Sequence, residues 1–258
     1  MNRKYVKPKK HLGQHFLKDE SVAQRTANLV DDCGTSKWLE IGPGTGVLTK
    51  YLLEKEITLL AVELDGASVK YLHQNFPDLP VVEDDFLQMK LPFKANEAFG
   101  IIGNFPYNIS TQIVFRILEE RHRVPTFAGM FQLEVAERYA SKHGSKKYGI
   151  TSVLTQAYYD VELVFEIPPE VFTPPPKVMS AVILAKRKSV DPHVDHKLFF
   201  DVVKTAFQQR RKTLWNALKK FGISKEVADA SPYFTQRAEQ LSVDEFLDLT
   251  RLVEESRS

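Results

Sequence analysis

The segment Gly103–Asn108 combines residue types that suit chemistry on an aromatic amine. It reads Gly-Asn-Phe-Pro-Tyr-Asn. An aromatic amine is a weak nucleophile because its lone pair is delocalised into the ring. The side-chain oxygen of Asn104 and the backbone carbonyl of Phe105 could each accept one amine hydrogen and so localise the lone pair on nitrogen. Such catalysis needs positioning and electrostatics but no strong base.

Two further residues of this segment, Pro106 and Tyr107, fit the same interpretation. The Tyr107 ring could stack on a base taken out of its helix or loop. Pro106 fixes the turn and removes a competing N–H donor. Asparagine and proline also favour turns, so the segment could instead be a structural turn that ends a strand.

A glycine-rich loop, Gly42–Gly46, follows the acid Glu40. Glycines allow a tight turn and a close approach of a ligand. A dinucleotide-binding loop would carry its third glycine where Val47 stands, and an acid beside the loop suits a pyrophosphate poorly. The loop therefore favours a ligand with a cationic aminoacyl end and no phosphate, such as S-adenosylmethionine. Taken alone, it could still be a structural turn.

Two acids, Glu63 and Asp85, follow further predicted strands. Glu63 lies about 20 residues after Gly42, where an acid can accept hydrogen bonds from both ribose hydroxyls. Asp85 could accept a hydrogen bond from an adenine amino group. Each acid alone would more often be a surface or capping residue. Together with Gly42 and Asn104, however, they lie at the carboxyl ends of predicted strands, where doubly wound folds bind ligands.

The elements that must position these residues alternate between strand and helix through residue ~150. Such alternation predicts an α/β fold with a doubly wound, mostly parallel sheet and helices on both faces. The predicted strands are Lys37–Ile41, Thr58–Leu64, Val81–Glu83, Phe99–Ile102 and Phe127–Phe131. The predicted helices are Val47–Glu54, Ala67–Asn75, Thr111–Glu120 with Ser110 as its N-cap, and Glu134–Ser141.

The pattern changes in the last hundred residues. Val161–Glu166 and Ala181–Lys186 are predicted to pair as strands around a proline-rich loop, Pro168–Pro176. Beyond Pro192 the spacing is helical, as in Phe199, Phe200, Val203 and Phe207, in Leu214 and Leu218, and in Val243–Glu254. We therefore predict a catalytic domain over residues 1–188 and a small α-helical C-terminal domain over residues 189–258.

Composition excludes several classes of protein. The chain has 258 residues, of which 43% are hydrophobic and 26% charged, as in ordinary globular proteins. Its single cysteine, Cys33, rules out an internal disulfide and a thiolate metal cluster, so no metal is predicted and a reducing, cytoplasmic compartment is favoured. No apolar run is long enough to span a membrane.

Two basic clusters stand out against a net charge of +2. They could bind a polyanion locally, although basic tails and helix faces are often only solvated. Residues 1–10 are predicted to form a basic tail that could be disordered. The N-terminal cluster comprises Arg3, Lys4, Lys7, Lys9, Lys10 and Lys18, and the C-terminal cluster comprises Lys204, Arg210, Arg211, Lys212, Lys219 and Lys220.

Six ordered motifs make the chain resemble the KsgA/RsmA-type ribosomal RNA adenine dimethyltransferases, from about Lys10 to about Leu241. The family commonly has asparagine where His15 stands, and leucine or proline where Phe105 stands. The motifs are Gly13-Gln14-His15-Phe16-Leu17, Glu40-Ile41-Gly42-Pro43-Gly44, Val62-Glu63-Leu64-Asp65, Asn104-Phe105-Pro106-Tyr107-Asn108-Ile109-Ser110-Thr111, Phe172-Thr173-Pro174-Pro175-Pro176-Lys177-Val178 and Gln209-Arg210-Arg211-Lys212-Thr213.

The resemblance implies a Rossmann-like, S-adenosylmethionine-dependent methyltransferase domain and a helical domain that binds RNA or the ribosome. It implies dimethylation of two adjacent adenines in a hairpin loop near the 3′ end of small-subunit (16S) ribosomal RNA. It further implies that the enzyme acts as a monomer on a partly assembled 30S subunit and contributes to small-subunit biogenesis.

By position, the resemblance also assigns roles to residues. Phe172 would face Tyr107 across the flipped adenine, or else anchor the proline loop. The cofactor-binding set is His15, Leu17, Glu40, Gly42, Gly44, Glu63, Asp85 and Asn104. The catalytic set is Asn104, Phe105, Pro106, Tyr107 and Phe172, and the RNA-binding set is Arg210, Arg211 and Lys212.

Three alternatives remain open at this point. Antibiotic-resistance methyltransferases of large-subunit RNA share the Asn-x-Pro-Tyr segment, but they usually have serine and lysine in place of Pro43 and Thr45, and lysine in place of Pro175. A non-catalytic assembly factor would dock on the small subunit and use the cofactor only structurally. A nicotinamide dehydrogenase is disfavoured by the missing third glycine and by Glu40.

Overall fold

The chain folds into two compact units, seen in a computed structural model that describes residues 6–31 and 33–256. The first unit comprises Met1–Ala136 and Val161–Arg187, and the second comprises Glu137–Asp160 and Lys188–Ser258. The sequence had placed residues 137–160 in the first domain, whereas the structure groups them with the second unit. Arg3 and Lys4 of the N-terminal basic cluster lie outside the described residues.

A seven-stranded sheet forms the frame of the first unit. Its order is β4-β3-β2-β5-β6-β9-β7; all pairs from β4 to β6 are parallel, and β9 runs antiparallel to β6. Short strands β1 and β8 pair separately. The strands are β1 (Phe16–Leu17), β2 (Lys37–Ile41), β3 (Thr58–Glu63), β4 (Val81–Glu83), β5 (Gly100–Asn104), β6 (Thr126–Gln132), β7 (Tyr159–Ile167), β8 (Phe172–Thr173) and β9 (Ser180–Arg187).

The order of strands in the sheet indicates where a functional site would lie. Strand order reverses between β2 and β5, and ligands of doubly wound sheets bind at that reversal, beyond the carboxyl ends of the strands. The central strands are continuous apolar runs because both faces of the sheet are covered. Trp38, Leu39, Ile101 and Ile102 are accordingly buried. The predicted parallel strands and the pairing of the last two long strands are confirmed.

The helices begin at recognisable caps. Asp19 accepts from the Val22 N–H ahead of the first helix, and Ser242 and Glu245 form a capping box ahead of the last. The helices are α1 (Glu20–Ala27), α2 (Thr49–Leu52), α3 (Gly66–Asn75), α4 (Ser110–Glu119), α5 (Leu133–Ala140), α6 (Ile150–Gln156), α7 (His196–Gln208), α8 (Leu214–Ala217), α9 (Lys225–Ala230) and α10 (Val243–Glu255).

Several helices differ from expectation. Helix α2 is shorter than the predicted Val47–Glu54, because the glycine loop continues as turns through Leu48. Ser110 is not an N-cap: it is the first residue of α4, and its hydroxyl donates to the Tyr107 carbonyl at 3.3 Å. Helices α1, α6 and α9 were not predicted.

Neither a membrane-spanning helix nor a metal-binding cluster occurs in the part of the chain that the structure describes. No helix there is long and apolar enough to cross a bilayer. No group of three or more histidine, cysteine, aspartate or glutamate side chains there could hold a metal ion.

Candidate cofactor and base site

A cavity in the first unit opens where β2, β3, β4 and β5 end. It lies at the reversal of strand order, and the N-terminal residues His11–Phe16 form another wall. Most of the predicted site residues meet here. Those that line the cavity are His15, Gly42, Gly44, Glu63, Asp85, Asn104, Phe105, Pro106 and Tyr107.

The glycine loop depends on left-handed backbone at three positions. Gly42, Gly44 and Gly46 have φ of 66°, 58° and 78°, a region that costs other residues energy. The loop also packs closely, since a Cβ on Gly44 would lie 2.8 Å from Cδ1 of Phe16. The glycines therefore let the loop turn sharply at the edge of the cavity, where Gly42 and Gly44 line it.

Glu63 holds this loop to the end of β3. One carboxylate oxygen accepts from the Gly44 N–H at 3.0 Å, and the other accepts from the Asp65 N–H at 2.9 Å. Burial raises the pKa of Glu63, and the two backbone N–H groups oppose that rise. The side chain thus stands beside the cavity as a carboxylate that is already oriented.

The charges around the cavity fit a cationic ligand without phosphate. Its lining includes the carboxyl groups of Glu63, Asp84 and Asp85, but no lysine or arginine among the described residues. Asp85 accepts from the Leu87 N–H at 2.9 Å, which fixes its side chain at the rim. Apolar walls of Ile41, Leu64 and Phe86 suit an adenine ring. This combination of carboxyl groups and apolar walls fits S-adenosylmethionine.

Glu40, predicted to contact the cofactor, lies elsewhere. It is 1% exposed and does not line the cavity. In the described chain neither of its carboxylate oxygens has a hydrogen-bond partner, and the Thr49 hydroxyl also lacks one. Burial raises the pKa of Glu40 to about 8; Thr49 nearby lowers it in part, and the charge of Glu63 adds to the rise. The predicted direct contact is therefore not observed.

Leu17 and Phe172 also lie outside the cavity. They face each other in the β1–β8 pair and are 5% and 0% exposed. Both pack in an apolar cluster with Val22, Met130 and Val182. Phe172 does not line the cavity that Tyr107 lines, and its packing favours the alternative of an anchor for the proline loop. The apolar side chains explain this outcome, since the cluster shields them from water.

Residues 6–10, predicted as part of a basic tail, belong to the folded structure, whereas residues 1–5 lie outside the described residues. Val6 is buried, and the Lys9 ammonium lies 2.5 Å from the Asp65 carboxylate. Burial alone would raise the pKa of Asp65, but hydrogen bonds from Lys9, Ala67 and Ser68 lower it. The sequence did not indicate that His11–Phe16 form a cavity wall. The Gly13–Leu17 motif was the available signal.

The Asn104 side chain is oriented by the backbone of that segment. Its Nδ2 donates to the carbonyl of His15 at 2.8 Å. Because the amide nitrogen is committed there, Oδ1 is the atom with which Asn104 can accept a hydrogen bond from a ligand. This is the orientation that binding of an amine requires.

Tyr107 is held at its hydroxyl and on one face. The hydroxyl lies 2.5 Å from Oγ of Ser180, and burial raises its pKa. The ring stacks on His15 with centroids 5.4 Å apart and an angle of 24° between the planes. A base between two rings needs a separation of about 7 Å, twice the usual carbon contact. A base can therefore stack only on the other face of Tyr107.

His15 links three parts of the site. Its carbonyl accepts from Asn104, its ring covers Tyr107, and its Nδ1–H donates to the Pro174 carbonyl at 2.7 Å. The histidine thus connects the catalytic segment with the proline-rich loop.

Phe105 fits because glycines flank it. It is 1% exposed and meets Phe131 edge-on at 5.2 Å between ring centroids. A Cβ on Gly129 would lie 2.4 Å from Cε2 of Phe105, and one on Gly103 would lie 3.0 Å from Cε1. These glycines accommodate the larger side chain in the interior, and Phe105 still lines the cavity.

Among the predicted RNA-binding residues of the second unit, Arg210 already has partners. Its guanidinium donates to the carbonyls of Lys146 at 3.2 Å and Ser145 at 3.3 Å, and it lies 3.6 Å from Glu239. Arg211 and Lys212 are exposed. The structure thus gives Arg210 a supporting position and leaves its two neighbours available to a partner.

Comparison with known proteins decides the family. A model of the family "Ribosomal RNA adenine dimethylase" matches residues 6–255. The chain belongs to the ribosomal RNA adenine dimethylase family. Membership confirms the predicted S-adenosylmethionine-dependent methyltransferase activity on ribosomal RNA adenine, and the nicotinamide dehydrogenase alternative is rejected.

Individual relatives of this dimethylase agree in sequence and fold. Ribosomal RNA small subunit methyltransferase A of Flavobacterium johnsoniae is 53% identical over 253 residues, covering 96% of this chain and 97% of that protein. A dimethyladenosine transferase from Plasmodium falciparum shares the fold, with a TM-score of 0.81 at 21% identity over 94% of this chain and 98% of that one. The 23S rRNA methyltransferase ErmE has a TM-score of 0.70 at 25% identity, and the match covers 94% of this chain and 100% of that one. The predicted Rossmann-like fold is confirmed.

Proposed function

We propose that this dimethylase modifies the exocyclic amino groups of two adjacent adenines in a hairpin loop near the 3′ end of small-subunit ribosomal RNA. Its substrate is a partly assembled 30S subunit, and the enzyme acts as a monomer in the cytoplasm, where subunits are assembled. Methylation at that stage contributes to subunit biogenesis.

The observation that carries the proposal is the hydrogen bond from Asn104 to the His15 carbonyl. It fixes Oδ1 of Asn104 as an acceptor, and we place the Phe105 carbonyl beside it because both residues line the cavity. An adenine amine can donate one hydrogen to each of these oxygens, which draws its nitrogen toward tetrahedral geometry. Preorganised acceptors of this kind need no reorganisation when the reaction occurs.

When bound, S-adenosylmethionine supplies an electrophilic methyl group. Gly42, Gly44, Glu63 and Asp85 would hold it, and Tyr107 would stack the target base on the face opposite His15. After one methylation the amine keeps a single hydrogen, so one of the two acceptors is released. The second methylation therefore proceeds with one hydrogen bond instead of two.

The small-subunit substrate is supported by relatedness and by loop residues. The Flavobacterium johnsoniae relative is named for the small subunit and shares 53% of its residues, against 25% for ErmE. Pro43, Thr45 and Pro175 also differ from the residues usual in large-subunit enzymes.

The test is methyl transfer from labelled S-adenosylmethionine to unmethylated small subunits, large subunits and protein-free RNA. Nucleosides from each product are identified by mass, and Asn104→Ala is run in parallel. We expect dimethyladenosine only in small subunits and none with the variant. Label in large subunits would contradict the proposed substrate. Docking on small subunits without any transfer would identify an assembly factor.

A further inference from the structure

The loop between α5 and α6 carries a concentrated positive charge. Residues 142–147 read Lys-His-Gly-Ser-Lys-Lys and are exposed; they are called the basic loop below. The basic loop contains no large apolar side chain. It belongs to the second unit together with the exposed residues Arg211 and Lys212.

The basic loop is held in place by its backbone. The Gly144 N–H donates to the Glu239 carbonyl at 2.7 Å, with Gly144 in the left-handed region at φ 81°. Tyr148, just after the loop, is 1% exposed and meets Phe207 edge-on. The lysine side chains therefore extend from a fixed backbone.

Arg210 brings two basic segments together. It donates to the carbonyls of Ser145 and Lys146, about sixty residues earlier in the chain. Arg211 and Lys212 follow it directly. Two stretches that are separate in sequence thus lie side by side, although each alone would be taken for a solvated charge cluster.

Two acids beside this surface are ion-paired. Glu239 is occupied by Arg210, and Glu137 by Lys147. The remaining cations form no ion pair within the described chain, and they are Lys142, Lys146, Arg211 and Lys212. These four side chains are therefore available to a polyanion.

We propose that the basic loop and Arg211–Lys212 form one phosphate-binding surface that holds the backbone of the RNA substrate. Flexible, exposed lysine side chains suit phosphates, which carry no sequence information. The surface anchors RNA, while the site around Asn104 selects the base. The inference rests on the proposed function only in taking ribosomal RNA as the partner.

The test is a charge-neutralising variant of the full chain, Lys142→Gln/Lys146→Gln. Binding to protein-free small-subunit RNA and to small subunits is measured between 50 and 200 mM salt. Each lost phosphate contact lowers the slope of log affinity against log salt by about 0.7 to 0.9. We expect a slope smaller by roughly 1.5, weaker binding at low salt, and unchanged kcat at saturating substrate.

A matched control is Lys197→Gln/Lys225→Gln, which removes the same charge from α7 and α9 of the same unit. We expect its slope to equal that of the unmodified chain. Equal slopes for both variants would overturn the proposal. Weaker binding to subunits with unchanged binding to protein-free RNA would also overturn it, because the partner would then be an acidic protein.

The salt-slope experiment can succeed or fail independently of the methylation test of the proposed function. Methylation of large subunits by the unmodified chain would refute the substrate assignment, yet the salt slope on that RNA would still test the surface. Thermal unfolding of both variants checks that the second unit remains folded.

Discussion

The side-chain amide of Asn104 donates to the main-chain carbonyl of His15, 2.8 Å away. The contact joins the end of β5 to the N-terminal segment and sets which end of the carboxamide meets a ligand. Because the acceptor is a backbone atom, substitution of the His15 side chain leaves it available. The orientation of Asn104 and the stacking of Tyr107 can therefore be tested separately.

Asn104→Asp should reduce kcat about as strongly as Asn104→Ala, on the order of a hundredfold or more. Aspartate retains an acceptor oxygen but has no N–H for the His15 carbonyl, so it would direct a negative charge at that oxygen. Single-turnover methylation and S-adenosylmethionine binding are measured for both variants. Near-normal turnover by Asn104→Asp would show that the hydrogen bond to His15 is not needed.

His15→Phe and His15→Asn separate the two contacts of the imidazole. Phenylalanine can keep the stack on Tyr107 but loses the donor to Pro174, whereas asparagine keeps a donor and loses the ring. An aromatic pair contributes about 0.5–1.5 kcal/mol, so His15→Asn should lower kcat by about two- to tenfold. His15→Phe should retain more activity. The reverse order would identify the Pro174 hydrogen bond as the important contact.

Gly129→Ala should impair catalysis through Phe105. The added methyl would lie 2.4 Å from the Phe105 ring and displace the segment that carries its carbonyl. Phe105→Leu removes ring atoms at that point and should restore part of the lost kcat in the double variant. The measurement is kcat for the two single variants and the double variant. Additive losses would argue against this contact as the cause.

Glu40 should make the free energy of unfolding depend on pH. Burial raises the pKa of this carboxyl from its ordinary 4.5 to about 8 in the folded chain. Between these values the unfolded chain has released the proton and the folded chain keeps it, so stability falls as pH rises, by at most about 1.4 kcal/mol per pH unit. Glu40→Gln should flatten this decline. Denaturant unfolding at pH 5 and pH 8 checks it, and parallel losses in both proteins would contradict the prediction.

Much of the fold follows from apolar periodicity. Strands β2 and β4 lie at their predicted bounds, because apolar runs that end at glycine or acid have few alternatives in a parallel sheet. Short elements escaped prediction. β1 and β8 have two residues each and exist only because they pair across 155 positions of sequence. No local pattern records such a contact.

The candidate site was likewise only partly predictable from the sequence. Residues at strand ends could be predicted to converge, since parallel strands bring their carboxyl ends together. Side-chain direction could not be predicted. Glu40 and Phe172 belong to the expected motifs, but their side chains lie in the interior, where packing and burial decide their position. The role of His15 in covering Tyr107 likewise depends on a contact between distant segments.

The pairing of β1 with β8 has a consequence for the order in which the enzyme becomes active. Residues His11–Phe16 wall the cavity, and Phe16 pairs with Thr173. A chain emerging from a ribosome at about 5–20 residues per second therefore carries the first half of its own site for on the order of ten seconds before the partner strand is made. This wall of the cavity can therefore pair with β8 only after translation has passed Thr173.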